Sequence, residues 1–185
     1  MKTLALFALL SVGCVAVGDS GSEIDMSFDQ PTEQHAWLQQ LVGEWDVRSE
    51  ATMGAETMVV EGTETVATFG DLWIVSDGVM DFGGMEVAAR MTLGYDPAKE
   101  SFVGTWVGSV HDDLWVYRGQ LDHGRKVLVL ETEGPHFSDP RERARYRDTI
   151  EILGPDRRRM VSTMEGLDGN WATFMTAEYT RRSGS

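Results

Sequence analysis

From Val42 onward the apolar residues recur at every second position, in runs too short to be helices. Val87, Ala89, Met91, Leu93 and Tyr95 alternate with Glu86, Ala88, Arg90 and Thr92. A period of two sends neighbouring side chains to opposite faces of a strand. Asp96-Pro97-Ala98-Lys99 then turns the chain, and Phe102 to Val107 returns as a second strand, which is a hairpin signal. Similar runs occupy Trp45–Ala51, Thr57–Thr68, Leu72–Val79, Asp113–Leu121, Lys126–Glu133, Ala144–Leu153, Arg157–Glu165 and Trp171–Thr180. Between them stand turn-forming clusters: Phe69-Gly70-Asp71, Asp81-Phe82-Gly83-Gly84, Asp122-His123-Gly124-Arg125, Gly154-Pro155-Asp156 and Gly166-Leu167-Asp168-Gly169.

Some ten strands joined by short loops, with no helix-length crossover, must pair antiparallel. An open sheet of that width would leave two unpaired edges and one apolar face in water. Closure into an up-and-down barrel removes both problems, and a two-sheet sandwich is the alternative. The expectation is therefore an all-β, antiparallel barrel over residues 31–181. The longest loop is expected to run from the end of the Lys126–Glu133 strand through Arg143. The turn near His123-Gly124 would set Tyr117 opposite Leu130 and Arg118 opposite Val129. The turn near Leu167-Asp168 would set Met164 opposite Trp171 and Met160 opposite Met175, giving an interior methionine–tryptophan face.

Only one segment reads as a helix. Pro31 to Leu41 has Pro31 in the first turn, Glu33 at the positive end of the dipole, and Trp37, Leu38 and Leu41 on one stripe. It is short and suits a plug for one end of the barrel.

The N-terminus reads as a targeting segment over residues 1–18. Lys2 precedes the uncharged run Leu4 to Val12, which is far short of the roughly 20 apolar residues that span a bilayer. Leu10-Ser11-Val12-Gly13-Cys14 resembles a bacterial lipobox, which would make Cys14 a lipidation site and the only membrane attachment. Cleavage after Ala16-Val17-Gly18 is the competing reading. Residues 19–30 are largely small and polar and read as a tether, and residues 182–185 as a tail. Either route predicts export to the cell envelope. A lone cysteine closes no disulfide within the chain, so the domain must be held by its core.

Sixteen basic and 30 acidic residues leave a formal charge of −14, with the two signs interspersed. Such a chain offers no polybasic surface, and no nucleic-acid partner is expected.

Val42-Gly43-Glu44-Trp45, following the helix and opening the first strand, resembles the Gly-X-Trp start of lipocalin-like (calycin) barrels. A wider set of strings resembles the bacterial family DUF1579. It comprises His35 through Trp45 (HAWLQQLVGEW), Met91 through Pro97 (MTLGYDP), Phe102 through Trp106 (FVGTW), Leu114 through Tyr117 (LWVY), Thr132 through Pro135 (TEGP), Tyr146-Arg147-Asp148 and Phe174 through Ala177 (FMTA). The resemblance spans about residues 30 to 180 and implies a calycin-like fold. It implies no catalytic residue, because the family has no established function, and fold alone does not transfer one.

Candidate chemistry is sparse. Glu131 and Glu133 share a strand face with Val127 and Val129, which is read as the buried side. Arg118, Tyr146 and Asp148 could complete an internal polar cluster that orients a ligand. The plain alternative is a structural ion pair or a solvated face. Trp106, Trp171, Met160, Met164 and Met175 could line a ligand cavity or simply pack the core. His111 and His136 fall near one rim. They could bind a divalent metal, or His136 could ligate haem iron, but no close His-X-His or cysteine spacing supports either, so no cofactor is expected. No Gly-X-Ser-X-Gly elbow occurs. Arg141 to Arg147 and Arg157-Arg158-Arg159 could attract an anionic group, though such residues usually solubilise strands. The leading expectation is binding of a small apolar ligand inside the barrel. The rivals are an enzyme using Glu133 or His136 as acid or base, and an envelope interaction protein with a filled core.

Overall fold

The computed structural model describes residues 28–183 except 54 and 55. The targeting segment, Cys14 and most of the tether lie outside the described residues. Helix α1 (Glu33–Leu38) is shorter than Pro31–Leu41 and runs on as a 3-10 turn over Gln39–Leu41. Thr32 caps it. The His35 Nδ1 accepts from the Thr32 backbone N–H at 2.9 Å, the reciprocal arm of a capping box. Trp37, Leu38 and Leu41 are buried, as their spacing requires.

Ten strands follow. They are β1 (Gly43–Met53), β2 (Glu56–Phe69), β3 (Trp73–Asp81), β4 (Glu86–Asp96), β5 (Ser101–Gly108), β6 (Trp115–Leu121), β7 (Val127–His136), β8 (Asp139–Gly154), β9 (Arg157–Glu165) and β10 (Trp171–Arg181). Each pairs antiparallel with the next, and β10 returns to β1, so the sheet closes into an up-and-down barrel. Closure satisfies both edges, as expected from the strand count.

One end is sealed by the helix. Trp37 Nε1 donates to the Arg125 carbonyl at 2.9 Å, and Trp45 Nε1 to the Leu41 carbonyl at 2.9 Å. Arg181 straps the junction: its Nη1 and Nη2 donate to the Val42 and Gln40 carbonyls at 2.6 and 3.1 Å, and its guanidinium lies 4.2 Å from the Trp45 ring centroid. Gly43 has φ +135°, and a Cβ there would sit 2.2 Å from Arg181 Nη1. The glycine of the Gly-X-Trp string thus allows both the turn and the strap. The core fills this end, with Leu38, Leu41, Trp45, Leu93, Phe102, Leu128 and Leu130 all buried to 2% exposure or less.

Three expectations about register and loops need correction. In the β6–β7 hairpin Arg118 faces Glu131 and Gly119 faces Leu130, two residues away from the expected pairing. The turn sits later because Asp122 Oδ1 accepts from the Lys126 and Val127 N–H groups and Arg125 takes a left-handed φ of 54°. In the β9–β10 hairpin Trp171 faces Glu165 and Ala172 faces Met164, and a bulge between Thr173 and Met175 then sets Met175 opposite Ser162 and Ala177 opposite Met160. One inserted residue exchanges the faces of everything beyond it. Finally, the long loop through Arg143 is strand. β7 and β8 run on to His136 and Asp139, with Phe137 and Ser138 as the turn and an irregularity that absorbs Pro140 to Glu142.

Candidate functional site

Alternation decides what lies inside the wall. On β7, Leu128, Leu130, Thr132 and His136 are buried while Glu131 and Glu133 are exposed. The face shared by Val127, Val129, Glu131 and Glu133 is therefore the outer one, contrary to the sequence reading. Both faces of this strand carry branched aliphatic residues, so the pattern alone was ambiguous. The leucines take the interior, and two carboxylates avoid desolvation. Arg118 is likewise exposed on β6. Trp171 is also outside, with the Arg147 guanidinium 4.3 Å from its ring centroid.

These outward residues still meet. With Thr132 and Tyr146 at its floor, Leu114, Val116, Arg118, Glu131, Glu133, Arg143, Arg145 and Trp171 line a groove of about 470 Å³ on the outer wall. Its charges are largely spoken for. Arg147 Nη2 binds Glu131 at 2.7 Å, Arg143 binds Asp113 at 3.3 Å and the Glu133 carbonyl at 2.9 Å, and Arg145 pairs with Glu165.

Tyr146, Asp148, Trp106, Met160, Met164 and Met175 lie inside. Tyr146 and Asp148 are buried on β8, beside Ala144 and Ile150 on the same face. Met164 is paired with Tyr146, and Met175 with Ser162, so both share the inner face. Met80, Met91, Trp106 and Met160 pack on the buried core cluster. Strand alternation thus puts Asp148 and Tyr146 on the inner face and Arg118, Glu131 and Glu133 on the outer one, although Tyr146 also borders the groove that those three line.

The interior is graded. The helix end is filled, but toward the opposite mouth Met80, Met91, Met160, Met164 and Met175 remain partly exposed although they face inward. Met58, across β1 from Met175, is 45% exposed. Trp115 and Tyr146 stack edge to face at 4.8 Å at this mouth, with Phe137 and Phe174 alongside. The Tyr146 hydroxyl donates to the Pro135 carbonyl, and burial pushes its pKa up to about 12 against a smaller opposing pull from Arg143. His111 is exposed in the β5–β6 loop, its ring 5.8 Å from that of Trp106. His136 is buried, with Nδ1 engaged by the Ser138 N–H and hydroxyl. Among the described residues no three His, Cys, Asp or Glu side chains come together as a metal site.

Two polar groups line the inner wall, built on Arg158 and Asp148 with partners, Glu64 and Tyr117, that the sequence reading did not foresee. In the first, Arg158 pairs with Glu64, which also accepts from Ser76. The Arg158 guanidinium stacks 3.9 Å from the Tyr179 centroid and 4.7 Å from that of Trp45. Burial pushes the Tyr179 hydroxyl well up, helped by the Glu64 charge. In the second, the Tyr117 hydroxyl donates to Asp148. Burial raises the Asp148 pKa, and hydrogen bonds from Ser162 and Tyr117 only partly oppose it. Burial also raises Tyr117, with the adjacent Asp148 charge adding to it. Arg158, Met160, Ser162 and Met164 alternate on β9, and that period was the signal that Arg158 differs from its neighbours Arg157 and Arg159.

The sequence profile of DUF1579, a family described as proteins of unknown function, matches residues 30–181. The chain belongs to that family. No curated protein matches it. Among solved structures, this DUF1579 protein is similar to Rv2717c from M. tuberculosis at 13% identity and a TM-score of 0.59, covering 83% of this chain and 99% of that one. That likeness bears on the fold. A redesigned β-barrel, mFAP0, described as bound to DFHBI, is 10% identical with a TM-score of 0.44, covering 77% of this chain and 100% of that one.

Proposed function

We propose that this protein binds a small, largely apolar molecule at the mouth of its barrel, in the cell envelope and without catalysis. One observation carries the reading: five inward-facing methionines stay partly open to solvent while the other end of the same interior is fully packed. An unbranched, polarizable side chain adapts to a guest, and each buried Å² of apolar guest surface contributes about 25 cal/mol. Asp148, Tyr117 and Ser162 give that apolar cup a polar patch. The enzyme reading has less support, because Glu133 lies on the outer wall and the His136 Nδ1 is already engaged.

Native mass spectrometry of the purified protein tests the proposal through co-purified ligand, and tryptophan fluorescence tests it through titration with decanol. Met164→Trp should fill the mouth and weaken decanol binding tenfold or more. Unchanged affinity would place the ligand elsewhere, the outer groove being the next site to test. The mass of the mature N-terminus separates lipidation at Cys14 from cleavage after Gly18.

A further inference from the structure

We infer that the guest of the barrel is an apolar amine, held by its ammonium group against Asp148, Ser162 and Thr132. The inference rests on the mouth reading above and deepens it. Three observations lead to it.

The first is a buried carboxyl group without a counter-charge. Asp148 is 8% exposed, on the inner face of β8, and its neighbours of consequence are the hydroxyls of Tyr117 and Ser162. Among the described residues no cation acts on it. A carboxylate taken out of water normally acquires a positive partner or gives up its charge. The guanidinium in the same interior is not available, since Arg158 is held by Glu64. Arg181 is committed to the helix end, to the carbonyls of Val42 and Gln40.

The second is the number of acceptors. An ammonium carries three donors. The Asp148 carboxylate and the Ser162 hydroxyl supply acceptors side by side, because Asp148 and Ser162 are directly paired across β8 and β9. Thr132, a diagonal neighbour across β7 and β8, has a buried Oγ1 with no hydrogen-bond partner. A buried hydroxyl left unpaired costs about 1–3 kcal/mol, and a bound donor recovers that cost.

The third is position. Ser162 is paired with Met175, and Tyr146, next to Asp148 on the inner face, with Met164. The carboxylate therefore lies at the edge of the methionine cup, where an alkyl or aryl body would sit. The net charge of −14 adds a long-range field that attracts cations and repels anionic amphiphiles. A fatty-acid carboxylate would find Asp148 hostile and Arg158 occupied.

The test is a matched series with one chain and three heads: decylamine, decanol and decanoate, titrated into the purified protein by calorimetry at neutral pH. The expected order is decylamine at least tenfold tighter than decanol, with decanoate weakest. Asp148→Asn should reduce decylamine affinity tenfold or more and leave decanol within about twofold, which also shows that the variant is folded. Should that variant fail to fold, Thr132→Val serves in its place, with an expected loss of severalfold for the amine alone. Repeating the series in about 0.5 M salt, where the Debye length is only a few Å, removes the general surface field. Equal affinities for amine and alcohol would overturn the inference while sparing the cup. So would an amine preference that survives Asp148→Asn or disappears in salt. Failure of all three probes to bind would remove the cup reading as well.

Discussion

Arg158 and Asp148 meet the low dielectric of the same interior with different solutions. Arg158 brings its counter-ion from β2 as Glu64 and lays its guanidinium on Tyr179 and Trp45, so its charge is compensated within the protein. Among the described residues Asp148 has hydroxyl partners only, and burial raises its pKa. The sign of the resulting pH dependence is definite. A carboxyl whose folded pKa lies above its unfolded value of about 3.9 holds its proton more tightly in the native state. Its contribution is fully present below that unfolded value and is lost as pH rises through the folded pKa. The ion-paired carboxylates of the outer surface act in the opposite sense: Arg145 holds Glu165 low and Arg141 holds Asp139 low, so their contribution is lost as pH falls. Comparing wild type with Asp148→Asn cancels the surface groups. The difference in unfolding free energy should move in favour of the variant as pH is raised from 4 toward 8, measured by urea titration at each pH. A difference independent of pH would mean that Asp148 ionises as it does in the unfolded chain.

At the scale of the element, β7 and β8 show how one strand serves two environments. Leu128, Leu130 and Thr132 of β7 build the inner wall, and Glu131 between them carries an exposed ion pair with Arg147 of β8. Exposed pairs of this kind are worth about 0–1 kcal/mol each. Arg118→Ala and Glu131→Gln should therefore shift stability by no more than about 0.5 kcal/mol, and neither should change decanol affinity. Chemical denaturation and the fluorescence titration check both points. A large loss of binding in Arg118→Ala would move the site to the 470 Å³ groove outside. β10 shows the opposite case, where alternation fails partway along. Its bulge leaves Trp171 outside against Arg147 while sending Met175 inside beside Ser162. No period of two can anticipate a single inserted residue.

For the whole molecule, the decisive feature is that the barrel is plugged by the helix at one end, while inner side chains at the other end stay partly exposed. Closure joins distant parts of the chain. Arg181, at the end of β10, ties the carbonyls of Gln40 and Val42 and covers Trp45 across the β1–β10 seam. Arg181→Ala should loosen the plug and the seam together. The expected cost is about 2–3 kcal/mol, from hydrogen bonds to a charged donor and a partly desolvated cation–π contact. It should be read as a lower denaturation midpoint with faster amide exchange at Trp45 and Trp37. A loss confined to α1 would show that the plug is dispensable to the barrel. The mouth has no such strap among the described residues, and its inner side chains are adaptable methionines.

Strand number, hairpin connectivity, the helical plug and barrel closure were all readable in the chain, because they follow from local periodicity, turn chemistry and the cost of unpaired edges. Residues 87–95 needed nothing but their own alternation. The inner and outer faces of β7 were not readable, since Val127 and Val129 are as apolar as Leu128 and Leu130. Only curvature, with the plug packed against one side, assigns one pair to the interior. The partners of Arg158 and Asp148 were equally hidden. Glu64 lies 94 residues from Arg158, and Tyr117 lies 31 from Asp148. Such pairs are chosen by desolvation inside a closed wall, a force that does not exist until the wall has closed.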